Sequence, residues 1–334
     1  MSATQPSSSR ESVRPAALRA GDVVRLVSPA SWFDPQRAQT GMDVLRGLGY
    51  RPQMAEHALA RYGQYSAGNP VQRLEDLHAA FADDSVRAIV CNRGGYGSAE
   101  LLAGLDLELI RAHPKILVGC SDITSLETWL HDTTGLVVFH GPMAAGDFAR
   151  ENGVDLASWQ AALSQDAPWK VGPEAGLRSL RAGRAQGKFY GGCLSMLVAS
   201  LGTPYEIHTD DTILFLEDIG VKPYQVERML LQLRLAGKLE GVRGIVFGPM
   251  MDCVQPGAPP EMLDAVLMRA LADFSGPIAI GLRSGHVAER NITVPIGVRA
   301  ELDLTGAAAL RWLEPAVIDT ERTMPSHSSR KQRG

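Results

Sequence analysis

Lys115–Leu130, KILVGCSDITSLETWL, is the stretch whose reading decides the fold. Ile116, Leu117 and Val118 form an unbroken apolar run, as expected of a strand covered on both faces of a parallel sheet. Gly119 and Cys120 turn the chain, and Ile123, Leu126, Trp129 and Leu130 then recur at helical spacing. This strand–turn–helix puts Ser121 at its tip, where the first amides of a helix face whatever the hydroxyl touches. Two roles suit a serine there. It can be a nucleophile whose developing oxyanion meets the following amide, or it can simply cap the helix. The stretch by itself leaves both open.

Working outward, the same pattern repeats. Val23–Val27 reads as a first buried strand, closed by Ser28-Pro29-Ala30-Ser31 and followed by a helix over 34–48. A helix over 71–81 leads to the strand 88–91 and then to Asn92-Arg93-Gly94-Gly95-Tyr96-Gly97-Ser98. Glycines between a strand end and a helix start let backbone approach a ligand closely. RGGYGS lacks the G-x-G-x-x-G spacing of a dinucleotide loop and the G-K-[ST] ending of a P-loop. After the Ser121 helix comes the strand 136–139, ended by His140-Gly141-Pro142. These strand ends share the carboxyl edge of one sheet, where open α/β sheets bind ligands. His140 is therefore a candidate base beside Ser121, or a structural hydrogen-bonding group.

Residues 150–185 are rich in Pro, Gly and Arg and read as a long connection with little regular structure. The expected organisation is a polar tail over 1–19, an N-terminal α/β domain over 20–160, a linker over 161–184, a C-terminal domain over 185–318 and a second tail over 319–334. In the second half, Thr212–Leu216 is an apolar strand ending in Glu217-Asp218. Buried carboxylates are costly unless paired, so this end is either functional or reaches solvent. An amphipathic helix over 224–235, the strand 244–248, a helix over 261–272 and the strand 277–281 follow, and His286 then sits behind Gly285 in a loop. Two short strands, 298–302 and 308–312, complete the chain.

Composition narrows the function. With 45% hydrophobic and 21% charged residues and a net charge of −4, the chain is an ordinary globular protein with no electrostatic case for nucleic acid. No apolar run approaches the ~20 residues of a membrane span, and residues 1–19 carry no signal-peptide core. Cys91, Cys120, Cys193 and Cys253 are too scattered for a metal site or a disulfide framework, which fits a reducing cytoplasm. No metal and no cofactor are expected.

Ser121, Glu217 and His286 occur in the order Ser…Glu…His, each at a strand or loop end, and these three residue types make a hydrolytic triad. Together with VSPAS, RGGYGS, GCSDIT, HGP, GGCLSML, LFLEDIG, YQVERML and GHVAERNITVPIG, in that order, they make the chain resemble the LD-carboxypeptidase family of serine peptidases from about Gly21 to Leu313. The family includes muramoyl-tetrapeptide carboxypeptidases and microcin C immunity-type peptidases. The resemblance implies a flavodoxin-like N-terminal domain with a parallel sheet, carrying the nucleophile, and a smaller mixed α/β C-terminal domain. It implies Ser121 as nucleophile, His286 as base and Glu217 as its partner. The amides of Asp122 and of Gly94 or Gly95 would form the oxyanion hole, and His140 would have a structural role. Cys120 stands where an aromatic residue is common in the family. The implied substrate is a muropeptide tetrapeptide losing its terminal D-alanine in cytoplasmic peptidoglycan recycling, and the implied assembly a homodimer. The rival substrate is an aminoacyl–nucleotide conjugate, for which Trp159 or Trp169 in the segment 149–169 would stack on the base. A non-catalytic binding protein on the same fold is the third reading.

Overall fold

The computed structural model describes residues 12–259 and 261–320. Five strands of the first half lie parallel: β1 (Val23–Val27), β2 (Arg51–Met54), β3 (Val86–Cys91), β4 (Ile116–Gly119) and β5 (Val138–His140). Their spatial order is β2-β1-β3-β4-β5, the flavodoxin-like arrangement. Every residue of β4 is buried, as the apolar run requires. The connecting helices are α1 (Pro35–Gly47), α2 (Pro70–Ala82), α3 (Leu107–Ala112) and α4 (Thr124–Thr134). Asp34 caps α1 through Gln36 N, and Asn69 and Gln72 form a capping box on α2.

The second half builds an eight-stranded sheet from β6 (Trp169–Val171), β7 (Arg178–Arg181), β8 (Arg184–Cys193), β9 (Thr212–Glu217), β10 (Val242–Phe247), β11 (Ile278–Ile280), β13 (Arg299–Asp303) and β14 (Ala309–Trp312), in the order β6-β14-β13-β8-β9-β10-β11-β7. The run β8-β9-β10-β11 is parallel and the outer strands are antiparallel. Its helices include α6 (Leu194–Ala199), α7 (Pro223–Leu235) and α8 (Met262–Ala270), whereas α5 (Leu156–Ser164) packs back against the first half through Trp159, which meets Phe148 and Tyr50. The remaining strand, β12 (Val294–Ile296), leaves this sheet and pairs antiparallel with β5.

Several expectations need correcting. The segment 161–184 is no unstructured linker: it supplies β6 and β7, the two edges of the second sheet. Both are short edge strands broken by charged residues, Lys170 in the first and Arg178 and Arg181 in the second, so neither shows an apolar run. β2 also lacks an apolar run, being a polar edge strand that holds Pro52. The chain from Ser12 to Arg19 is not a loose tail, since Val13 bridges Leu136, Ala16 bridges Ile318, and Leu18 is buried. At the other end Asp319 pairs with Arg19 at 3.0 Å. Residues 1–11 and 321–334, also assigned to tails, lie outside the described residues. Among the described residues no helix is long and apolar enough to cross a membrane.

Candidate active site

The carboxyl ends of β3, β4, β5, β9 and β11 converge on one place. After β4 the backbone extends through Cys120 and turns sharply at Ser121, whose φ is +64°. A left-handed serine is strained by roughly 1–3 kcal/mol, and that strain turns its hydroxyl out of the sheet. Ser121–Ile123 form a short 3-10 turn that runs into α4. Asp122 ties this turn to the glycine loop: its carboxylate accepts from Ser98 N at 2.8 Å and its carbonyl from Ser98 Oγ at 2.5 Å.

The loop after β3 is pressed between two serines. A Cβ on Gly94 would lie 2.8 Å from Ser121 Cβ and 3.1 Å from its Oγ, so only glycine fits beside the hydroxyl. Gly94→Ala is therefore expected to cost at least tenfold in turnover with little effect on melting, read by kinetics and calorimetry. Ser31, at the end of the VSPAS motif, accepts from Tyr96 N at 3.0 Å and holds the other side of the loop. VSPAS carries no local sign of this bracing role, which depends on the pairing of β1 with β3.

Ser121 Oγ lies 3.0 Å from Nε2 of His286. Nδ1 of His286 lies 2.7 Å from Oε2 of Glu217, and the backbone N–H of His286 donates to that same oxygen at 3.0 Å. The His286 loop is held by Asn291, which exchanges two 3.0 Å hydrogen bonds with the backbone of Gly285. Gly285 has φ +90°, and a Cβ there would strike the Glu217 carboxylate at 2.5 Å. Asn291 was a missed contributor, although the GHVAERN motif contains it.

Glu217 is fully buried. Burial disfavours its charge, but the neighbouring imidazoles of His140 and His286 outweigh that and hold the carboxyl down at about 2. Burial likewise opposes charge on His286, yet the bond and charge of Glu217 leave its pKa raised above the usual 6.5. Asp218 faces the other way: its Oδ2 accepts from Ser195 N at 2.9 Å and Ser195 Oγ at 2.5 Å. Cys120 is buried, and burial pushes its thiol well above its usual range. His140 does not reach Ser121 as a base; it lies behind Glu217, with Nε2 3.5 Å from Oε1.

A cavity of about 250 Å³ opens beside this group, lined by Gly95, Tyr96, Asp122, Ser125, Met196 and Tyr205 among others. The tryptophans expected to stack on a base are elsewhere. Trp159 is buried edge-on against Phe148, and Trp169 stacks on Trp312 with ring centroids 4.2 Å apart. Among the described residues, no group of three or more His, Cys, Asp or Glu could hold a metal ion.

A strained serine, an imidazole and a buried carboxylate thus lie in one line between the two α/β units, and sequence comparison supplies the class of the chain. Residues 24–141 match the LD-carboxypeptidase N-terminal domain and residues 186–302 its C-terminal domain, so the chain belongs to the LD-carboxypeptidase family. It is 39% identical over 301 residues, 89% of this chain and 93% of the relative, to the "Probable murein peptide carboxypeptidase" of Bacillus subtilis (strain 168). A muramoyltetrapeptide carboxypeptidase from Oxalobacter formigenes superposes with a TM-score of 0.77 at 28% identity, over 88% of this chain and 99% of the other. An MccF-like protein from Bacillus anthracis str. Ames gives 0.81 at 28% identity, over 90% and 99%.

Proposed function

We propose that this carboxypeptidase removes the terminal D-residue from a muropeptide tetrapeptide, with Ser121 as nucleophile, His286 as general base and Glu217 as the residue that orients and stabilises the imidazole. The observation that carries the reading is the continuous hydrogen-bonded line from Ser121 Oγ through His286 to Glu217. His286 Nε2 takes the hydroxyl proton as Oγ attacks the amide carbonyl. The oxyanion is received by the Asp122 amide and one from Gly94–Gly95. His286 then protonates the leaving amine, and water, deprotonated by the same imidazole, clears the acyl-enzyme.

The names of the relatives support a murein peptide as substrate. The packed positions of Trp159 and Trp169 weigh against an aminoacyl–nucleotide conjugate. Mass spectrometry of products from a tetrapeptide and from an aminoacyl-adenylate analogue decides between them. Release of D-alanine is expected; cleavage of the analogue alone overturns the substrate assignment. The four cysteines, all buried and unpaired, fit a reducing cytoplasm, and a homodimer is the expected assembly, checked by light scattering.

The pH dependence follows from the site's electrostatics. Only neutral His286 can accept the serine proton, and Glu217 raises its pKa above 6.5. kcat/KM should therefore climb with pH along a limb whose midpoint lies above 6.5 and fall away as the imidazole protonates below it. A limb centred below 6.5 would mean that burial, rather than Glu217, governs the base.

A further inference from the structure

Behind the three residues lies a second imidazole–carboxylate pair that the chemistry above does not use. His140, the last residue of β5, and Glu127, in α4, are both completely buried. His140 Nδ1 lies 3.1 Å from Glu127 Oε2, and its Nε2 lies 3.5 Å from Glu217 Oε1. The second distance is within ion-pair reach but long for a hydrogen bond. Neither His140 Nε2 nor Glu217 Oε1 has a hydrogen-bond partner among the described residues. The two oxygens of Glu217 are thus divided, Oε2 turned to His286 and Oε1 to His140.

The connectivity gives this pair a purpose. Ser121, Glu127 and His140 belong to the first sheet and its helix, whereas Glu217 and His286 belong to the second. The line Ser121–His286–Glu217–His140–Glu127 therefore crosses between the two units twice. It begins and ends on one continuous turn-and-helix segment, 121–134. Two buried carboxylates this close to one another need a cation between them. Burial works against charge on His140, but Glu127 and Glu217 outweigh it and raise its pKa to about 9, so the ring is an imidazolium at neutral pH.

The other groups around it do not compete. Asp218 is engaged by Ser195. The thiols of Cys91, Cys120 and Cys193 are pushed up by burial and stay neutral. The Phe215 ring meets His140 edge-on at 5.4 Å. The charges His140 faces are Glu127 from α4, Glu217 from β9 and, beyond Glu217, His286.

We propose that His140, clamped as an imidazolium between Glu127 and Glu217, is a positioning residue that fixes the Glu217 carboxylate, and through it the His286 ring, in line with Ser121 across the junction of the two units. The proposal rests on the serine-peptidase reading and adds a residue to it.

The test is steady-state kinetics against pH on the full-length chain carrying His140→Gln, Glu127→Gln, Glu217→Gln or the His140→Gln/Glu217→Gln pair, with Ser121→Ala as reference. His140→Gln is expected to lower kcat about 30-fold while KM stays within about threefold, the scale of a residue that orients a functional side chain. Loss of the neighbouring cation should also move the ascending limb to higher pH, because His286 then keeps its proton longer. In the Glu217→Gln background the same change should cost less than about threefold more, since its route of action is already gone. Glu127→Gln leaves the imidazolium with a single carboxylate, so kcat should decline at a lower pH than in the parent protein. Additive losses in the double variant would overturn the proposal. If His140→Gln does not fold, an unchanged pH profile for Glu127→Gln would overturn it equally. Activity surviving in Ser121→Ala would instead bring down the serine-peptidase reading itself.

Discussion

Ser121→Ala is expected to reduce turnover more than about a thousandfold while the protein stays folded. The hydroxyl is 3.0 Å from His286 Nε2, and no helix amide takes it as a cap: the residue before the turn is Cys120, and α4 begins three residues later. Capping cannot therefore be what the hydroxyl does, and its removal should change melting by less than the ~1 kcal/mol of a lost N-cap. The alanine inherits the φ of +64° and its strain, so the local backbone has no new reason to move. Steady-state assays with a thermal melt check both halves. A variant that kept a tenth of the parent activity would end the nucleophile assignment. Cys120 could not stand in, since it is buried with its thiol protonated.

The second large effect is Glu217→Gln, for which a loss of about 10⁴-fold in kcat is expected, as when the carboxylate of a serine triad is made an amide. Oε2 of Glu217 receives two N–H groups of one residue, the ring Nδ1 and the backbone amide of His286. An amide keeps the shape but removes the charge that stabilises the imidazolium of the acylation step. It also offers a donor where a donor already points. The neighbouring substitution, Asp218→Asn, should leave kcat within about tenfold, because successive strand residues face opposite ways. Asp218 spends its carboxylate on Ser195 and on the backbone N–H of Ile219. Kinetics of the two variants side by side give the check. If Asp218→Asn were the crippling change, the register of β9 against His286 would be wrong by one residue.

The strand–turn–helix at Ser121 was legible because its three signals are local: a run of apolar residues, a glycine turn and a 3.6-residue period. The same holds for β1, whose bounds follow from Val23–Val27 alone, and for α1, announced by Asp34 and Pro35. Ser121, Glu217 and His286 stand out as polar residues at the end of a buried strand or in the loop after it, and the family resemblance singles them out from neighbours such as Asp218 and His140. Elements stabilised by a neighbour rather than by their own pattern were not legible. β2, β6 and β7 are edge strands with polar faces, and β12 follows the strand loops of the second unit in sequence yet pairs with β5 of the first. Pairing partners that lie outside the window leave no trace in a local pattern.

The amino-acid sequence by itself determined the two α/β units, the succession of their buried strands along the chain and the turns that carry Ser121, the Glu217–Asp218 pair and His286. Periodicity and turn chemistry act over a few residues and are written there directly. Only the tertiary structure decided which carboxylate of the Glu217–Asp218 pair faces His286, because that depends on which face of β9 meets the other unit. It alone placed His140 against the far oxygen of Glu217 rather than beside Ser121. The parallel registers of β4 with β5 and of β8 with β9 set that distance, and the two carboxylates that flank the ring raise its pKa against the opposing effect of burial.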